Sequence, residues 1–272
     1  MNVAYLGPPG TFGEEAALRA APNDTRIPFP SHAAVAAAVE SGAAELGVVA
    51  IENSLSGSVA ETLDILIHDT RLQIQCELLL PIEHNLILKP GAAADDVTVI
   101  FSHPAAPGQC RKYVEAHFPK AQIEAALSTA EAVRMAVARN GDAAAIATVR
   151  ASDLLGGQVH ARGIQDSNTN VTRFVVLGRG TPRPTGRDRT SIAFQFTGDA
   201  PGSLAGVLNV FARLNINCSK IESRPTRSNL GEYVFLVDFD GHQDEAPYNE
   251  ALAEVRTLCA ELKVFGSYPR WR

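Results

Sequence analysis

Thr172-Arg173-Phe174-Val175-Val176-Leu177 gives way to Arg179-Gly180-Thr181-Pro182-Arg183-Pro184-Thr185-Gly186, and the contrast between these stretches divides the chain. The first reads as a buried apolar strand carrying one hydroxyl and one guanidinium at its end. The second has no apolar period and is dense in Pro, Gly and Arg, the composition of a linker. Residues 179–189 are therefore expected to connect a domain over 1–178 to a smaller one over 190–272.

Back from this boundary, apolar runs that read as buried strands fall at Val3–Leu6, Leu46–Ile51, His84–Leu88, Val97–Phe101, Ala144–Ala147 and Phe174–Leu177. Helical patterns separate several of them, which predicts βα crossovers and mostly parallel sheets. Thr11-Phe12-Gly13-Glu14 and Ser128-Thr129-Ala130-Glu131 have the spacing of capping boxes, in which hydroxyl and carboxylate satisfy each other's exposed amides. Ser31 and Ser102 are further N-cap candidates. Glu77–Pro81 with the following run His84–Leu88 reads as a crossing between two lobes, and the return is expected near Gly156-Gly157. A two-lobed α/β domain follows, with the cleft between its lobes as the natural ligand site.

Forward of the boundary, Ser191–Phe196 is strand-like, and Leu204, Val207, Leu208 and Phe211 stand at i, i+3, i+4 and i+7. Strand patterns recur near Ser219–Ile221 and Tyr233–Phe239, a helix carries Leu252, Val255, Leu258 and Leu262, and a last strand lies near Val264–Tyr268. The order is βαββαβ, a ferredoxin-like arrangement.

Composition narrows the function. The 272 residues leave room for two or three compact units, and 46% hydrophobic with 20% charged residues is the balance of a folded protein. A net charge of -6, without Lys/Arg clusters interleaved with aromatics, excludes the electrostatic footprint of nucleic-acid binding and argues against an anionic membrane surface. No apolar stretch approaches the ~20 residues that span a bilayer. Met1–Leu6 lacks a basic leader and reads as a strand, so no secretory signal is expected. Cys76, Cys110, Cys218 and Cys259 lie far apart without a CxxC pair, which predicts reduced, buried thiols and a cytoplasmic compartment. The seven histidines show no HxxxH or HxxEH spacing, so no metal site is expected.

Polar residues gather where strands turn into helices: Thr11 after Val3–Leu6, Asn53-Ser54 after Leu46–Ile51, and Ser102-His103 after Val97–Phe101. Such turns cluster at the carboxyl edge of an open α/β sheet. Each helix N-terminus carries about half a positive charge, so several facing one cleft make an anion pocket even in an acidic protein. Taken singly, each turn is also explained by ordinary capping.

Four segments stand in order: Gly7-Pro8-Pro9-Gly10-Thr11-Phe12, Ile51-Glu52-Asn53-Ser54-Leu55-Ser56-Gly57-Ser58-Val59, Ile164-Gln165-Asp166-Ser167-Asn168-Thr169-Asn170-Val171-Thr172-Arg173-Phe174 and Glu222-Ser223-Arg224-Pro225. Together they resemble the prephenate dehydratases with an ACT regulatory domain, over essentially the whole chain. The resemblance implies a catalytic domain like the type II periplasmic-binding folds, followed by the ACT domain. It implies Thr172 as the central catalytic residue, with Arg173 and Phe174 completing the site. Asn53, Ser54 and Gly57 would line the substrate pocket, joined by Thr11 from the first lobe and Ser102 and His103 from the second. The chain departs from the family pattern at Ala105-Ala106-Pro107-Gly108 and at Ala50.

The implied reaction turns prephenate into phenylpyruvate without a cofactor. A neutral Thr172 hydroxyl suits a departing hydroxide, as full proton source or as hydrogen-bond donor. Arg173 has two readings, a bidentate carboxylate clamp or an ion pair bracing its own domain. Glu52 likewise reads as the ultimate acid or as a structural carboxylate. In the resembled family, motifs matching Gly202-Ser203-Leu204 and Glu222-Ser223-Arg224-Pro225 bind phenylalanine between ACT domains, with Asn217 close enough in sequence to join. That implies a homodimer or homotetramer, although Arg224 is also explained by a salt bridge to Glu222. Arogenate dehydratase and a non-catalytic amino-acid sensor are the competing functions.

Overall fold

The N-terminal apolar run forms β1 (Asn2–Leu6), with Val3, Ala4 and Tyr5 buried. It begins a computed structural model that describes residues 1–198, 200–226 and 232–271. After β1 come α1 (Phe12–Ala20), β2 (Thr25–Phe29), α2 (His32–Ser41), β3 (Leu46–Asn53), β4 (Gly57–Ser58) and α3 (Ala60–Asp64). A π-helical turn, Ile65–Asp69, extends α3 before β5 (Gln73–Pro81). Then follow β6 (Asn85–Leu88), β7 (Val99–Ser102), α4 (Arg111–His117), β8 (Gln122–Ala125), α5 (Thr129–Ala138), β9 (Ala143–Ala147), α6 (Val149–Leu155), β10 (Gln158–Ala161) and β11 (Val171–Gly178). The C-terminal part contributes β12 (Asp188–Gln195), α7 (Ser203–Arg213), β13 (Cys218–Pro225), β14 (Tyr233–Asp240), α8 (Tyr248–Leu258) and β15 (Glu261–Pro269).

These elements pack as two compact units, Met1–Thr62 with Leu79–Phe174, and Leu63–Leu78 with Val175–Arg272. The first unit holds both lobes, except that the opening residues of β5 and the closing residues of β11 are counted with the second. One lobe is built on the sheet ordered β2-β1-β3-β11-β5, with β4 against β3 and β1 parallel to β2 and β3. The other is the sheet β10-β6-β9-β7-β8. In it β7 runs parallel to β8 and β9, but β6 is antiparallel to β9 and β10 antiparallel to β6, so this sheet is mixed. Only a 3-10 turn, Ala94–Asp96, lies between β6 and β7, too short for the crossover that would hold them parallel.

The passages between lobes correct the expected ones. Glu77–Pro81 lies inside β5 of the first sheet, so the outward crossing is Ile82–His84. Gly156-Gly157 is not the return. Gly156 ends α6 in the left-handed conformation (φ 73°), and Gly157 fits because a Cβ there would meet Ile87 Cγ2 at 2.5 Å. The chain returns at Asn170–Val171, where Ile82 N donates to Asn170 O at 2.9 Å and joins the outgoing and returning strands. The lobes are also tied beside α1. Thr148 Oγ1 donates to Gly10 O at 2.6 Å, and Arg150 on α6 holds Glu14 on α1 by two 2.8 Å hydrogen bonds.

Caps follow the sequence in part. Ser31 and Ser128 accept the amides of Ala34 and Glu131, each at 3.0 Å. Thr11 accepts Glu14 N at 3.4 Å, but the Glu14 carboxylate takes Gly10 N at 2.7 Å, one residue before the capping-box partner. Glu131 turns outward to Arg134. Ser102 is no N-cap: it ends β7, α4 starts only at Arg111, and its Oγ donates to His103 O at 3.2 Å.

The second unit has the βαββαβ order in an antiparallel sheet β13-β14-β12-β15. Phe194 of the sheet packs in one apolar cluster with Val207 and Phe211 of α7 and Leu252 and Val255 of α8. Residues 63–78, upstream of the boundary read from sequence, also belong here. Lys263 Nζ donates to Ile67 O at 3.1 Å and Thr70 O at 2.7 Å, Arg224 pairs with Asp64 at 3.1 Å, and a Cβ on Gly266 would meet Ile74 O at 2.7 Å. Nothing local in 63–78 announces contacts made almost two hundred residues later. The four cysteines form no disulfide, and burial pushes their thiols up to about 11 or 12. Among the described residues no helix is long and apolar enough to cross a membrane.

Candidate active site

The first unit contains a cleft of about 590 Å³. Its polar wall includes Thr11, Asn53, His84, His103, Gln109, Asn170 and Thr172, and its apolar wall includes Phe12, Val48, Ile82 and Phe174. The two-residue alternation of a strand explains how β11 contributes: Thr172 and Phe174 reach the wall while Arg173 points the other way. There Arg173, 6% exposed, pairs with Glu52 of β3 at 3.1 Å.

Asn53, the last residue of β3, organises the centre. Its Nδ2 donates to Thr172 Oγ1 at 2.9 Å and to Asn170 Oδ1 at 2.7 Å, while its Oδ1 accepts the amides of Leu55 and Ser56 at 3.0 Å. Every polar group of this side chain is therefore committed, which fixes its rotamer. Thr172 Oγ1 acts as acceptor in this contact, and its proton has no acceptor among the described residues. An oxygen already receiving a hydrogen bond is the stronger donor through its own proton. Asn170, 2% exposed, continues the chain by donating to Gln109 Oε1 at 2.5 Å. That oxygen also accepts from His84 Nε2 at 3.2 Å, which assigns the His84 proton to Nε2 and leaves Nδ1 bare and buried. The His84 ring meets Phe12 edge-on at 5.7 Å.

The electrostatics are unusual for a site that would take an anion, since no Lys or Arg is among the wall residues. Burial lowers the pKa of His32, His84 and His103, so these imidazoles favour the neutral form. Positive potential comes instead from backbone, because α1, α2 and α5 all start at the wall with Thr11, Ser31 and Ser128 as caps.

Four of the residues expected here lie off the wall. Ser54 Oγ donates to Thr169 O at 2.9 Å and accepts Val171 N at 3.0 Å, so it pins the returning chain. Gly57, at φ 78° as the first residue of β4, is off the wall, which its neighbours Ser56 and Val59 line. Ser102 is 1% exposed and committed to His103 O, and Arg173 is on the opposite face. Gln109, His84 and Asn170 are in the network although sequence reasoning gave them no role. Asn170 lay inside a quoted motif, and Gln109 stands just after the segment that departs from the family pattern.

In the second unit, Gly202 caps α7 in the left-handed conformation (φ 90°), with Ser203 and Leu204 as its first residues. Glu222, Ser223 and Arg224 lie on the edge strand β13, where Glu222 is 3.4 Å from Lys220 and 3.6 Å from Arg224. Asn217 Nδ2 donates to Asp240 Oδ2 at 3.0 Å. Asp199, which precedes the Gly202 turn, lies outside the described residues.

Two α/β lobes around an amide-lined cleft, with a βαββαβ unit in the same chain, define the class of two-lobed cleft proteins joined to a ferredoxin-like unit. Residues 3–182 match the model of the family described as prephenate dehydratase, and residues 191–257 match the ACT domain. A prephenate dehydratase of Mycolicibacterium vanbaalenii is 40% identical over 98% of this chain and 91% of its own. The solved prephenate dehydratase of Arthrobacter aurescens, in complex with L-Phe, superposes with a TM-score of 0.92 at 35% identity, covering 99% of this chain and 90% of that one. A structure described as GqqA, a novel type of quorum quenching acylase, gives 0.90 at 29% identity over 99% of this chain and 98% of its own. The chain belongs to the prephenate dehydratase family.

Proposed function

We propose that the cleft converts prephenate to phenylpyruvate, a carbon–oxygen lyase reaction, and that the Thr172 hydroxyl governs the step. The supporting observation is its geometry: an oxygen fixed by Asn53 with a proton left to donate at the cleft wall. The bond from the ring to its carboxylate breaks and releases CO2, and its electron pair aromatises the ring. The ring C–O bond breaks in the same process, and the departing hydroxide takes one proton to leave as water. A neutral donor stabilises that oxygen without repelling a dianion. An alcohol is a weak acid, so we assign Thr172 hydrogen-bond donation rather than full proton transfer. Phe174 and Phe12 offer apolar surface to the nascent aromatic ring. Arg173 is assigned a positioning role, holding β11 through Glu52, and Ser54, Gly57 and Ser102 hold the loops that carry Asn53 and His103.

Purified protein given prephenate is expected to produce phenylpyruvate, followed by ultraviolet absorbance, with arogenate turned over much more slowly. Faster turnover of arogenate would reassign the substrate, and binding without turnover would support a sensor. The likeness to an acylase does not alter this reading, because an acyl-transfer nucleophile needs a base within reach. The Asn53 amide at Thr172 cannot take a proton.

Regulation is assigned to the ACT unit, with phenylalanine as effector on Gly202, Ser203, Leu204, Asn217, Glu222, Ser223 and Arg224. The phenylalanine complex of the Arthrobacter relative supports the effector. The open edge of β13, with Ile221 49% exposed, supports pairing of ACT units in a homodimer or homotetramer. Free thiols support a cytoplasmic location. Ser223 is exposed, so Ser223→Val perturbs the fold little. It is expected to abolish phenylalanine binding in calorimetry and inhibition in the turnover assay together, a coupling of about 1–3 kcal/mol. Unchanged phenylalanine affinity in this variant would show the site to be misplaced.

A further inference from the structure

Three helices of nine or more residues start at the cleft wall, and two of them already hold a protein carboxylate at that end. Glu14 accepts Gly10 N at 2.7 Å at the start of α1, and Glu61 Oε1 accepts Ala33 N at 3.4 Å at the start of α2. A substrate carboxylate at either place would meet a like charge. The start of α5 differs. Its own acidic residue, Glu131, is turned outward and paired with Arg134, and Ser128 spends its hydroxyl oxygen on Glu131 N. The amides of Thr129 and Ala130 make no hydrogen bond among the described residues. Beside them Thr129, 8% exposed and part of the wall, keeps Oγ1 buried with no hydrogen-bond partner. An unsatisfied buried hydroxyl costs free energy unless a ligand completes it.

We propose that the first turn of α5, with Thr129 Oγ1 and the amides of Thr129 and Ala130, is the seat of one substrate carboxylate. It is the carboxylate that the product keeps. This inference rests on the proposed reaction. Donors gathered around the carboxylate that leaves as CO2 would stabilise a charge present in the ground state and vanishing in the transition state, which slows the step. Donors around the retained side-chain carboxylate bind substrate and transition state alike. They set affinity and orientation without opposing the chemistry. Ser102 and His103 were the expected second-lobe contacts, and the seat at α5 supplies what the inward-turned Ser102 hydroxyl does not.

Uniform binding predicts the kinetic signature. Thr129→Val, nearly isosteric, is expected to raise KM for prephenate about 10- to 100-fold, the range for a hydrogen bond to a charged group, with kcat held within about 3-fold. Competitive inhibition by phenylpyruvate, which carries only the retained carboxylate, should weaken by a similar factor. Thr129→Ser should restore both, which separates donor chemistry from packing. Unchanged KM in a folded Thr129→Val, or a raised KM with phenylpyruvate inhibition unaffected, overturns the assignment. If Thr129→Val does not fold, Thr129→Ser carries the test, since parent-like KM and phenylpyruvate inhibition in that variant support donor chemistry and their loss overturns it. A parent enzyme that binds prephenate without turning it over would instead remove the proposed reaction, and the inference with it.

Discussion

Thr172→Ala is expected to lower turnover of prephenate about 10²- to 10³-fold, or about 3–4 kcal/mol of transition-state stabilisation, with fold and substrate binding retained. The size follows from the position of the hydroxyl, a single oriented donor in a largely buried site, with Asn53 holding its oxygen at 2.9 Å. Alanine removes that donor and little else. Asn53 keeps its contacts to Asn170, Leu55 and Ser56, so the loop that carries it stays in place. Single-turnover rates with saturating prephenate, beside equilibrium binding and a thermal melt, separate chemistry from affinity and stability. Thr172→Ser should keep most of the rate. Turnover of the alanine variant within a few-fold of the parent would move the catalytic role elsewhere on the wall.

Arg150→Met is expected to cost about 2–3 kcal/mol of stability and roughly 5–10 °C in melting temperature. Glu14 is 5% exposed, and its carboxylate has Arg150 as its ion-pair partner and Gly10 N as a further donor. Removing the guanidinium leaves a buried charge with one amide. The cost is lower than for a fully buried pair because the Arg150 side chain is 36% exposed. Acid titration gives an independent check. Burial pushes the Glu14 carboxyl up, but hydrogen bonds from Arg150 and Gly10 outweigh it and hold the pKa below the ordinary value near 4.5. A depressed carboxyl contributes stability that is fully present above that ordinary value and is lost as pH falls through the folded-state value. In Arg150→Met this contribution is reduced, so melting curves of parent and variant should converge as pH drops below about 4.5. Curves that stay equally separated down to pH 3 would show that the pair does not stabilise the fold.

Much of the fold was legible because its signals are local. Period-2 and continuous apolar runs gave the strands around Val3, Val48, Ile100 and Val175, while Ser31 and Ser128 marked two helix starts correctly. Failures came where a local signal had a second meaning. Gly156-Gly157 looked like a passage between lobes and is a helix end followed by a close backbone contact. Ser102 before a helical pattern looked like a cap, yet an irregular loop and a 3-10 turn intervene before α4. In the site, Thr172 and Asn53 were legible as polar residues at strand ends. Gln109 and His84 were not, because each becomes functional only through partners 61 and 25 residues away in sequence.

The sequence by itself determined the βαββαβ order and the polar turns from which an anion pocket could be built. Each depends on neighbours within a few residues, where periodicity, caps and turn chemistry act. Tertiary structure alone decided which turns face the cleft, which carboxylates already occupy helix starts, and that residues 63–78 pack with the regulatory sheet. The docking of the lobes and of residues 63–78 depends on hydrogen bonds and ion pairs between groups more than a hundred residues apart, such as Arg150 with Glu14 and Lys263 with Thr70. The donor and acceptor types are written in the sequence, but which pair satisfies which is set only when the chain packs.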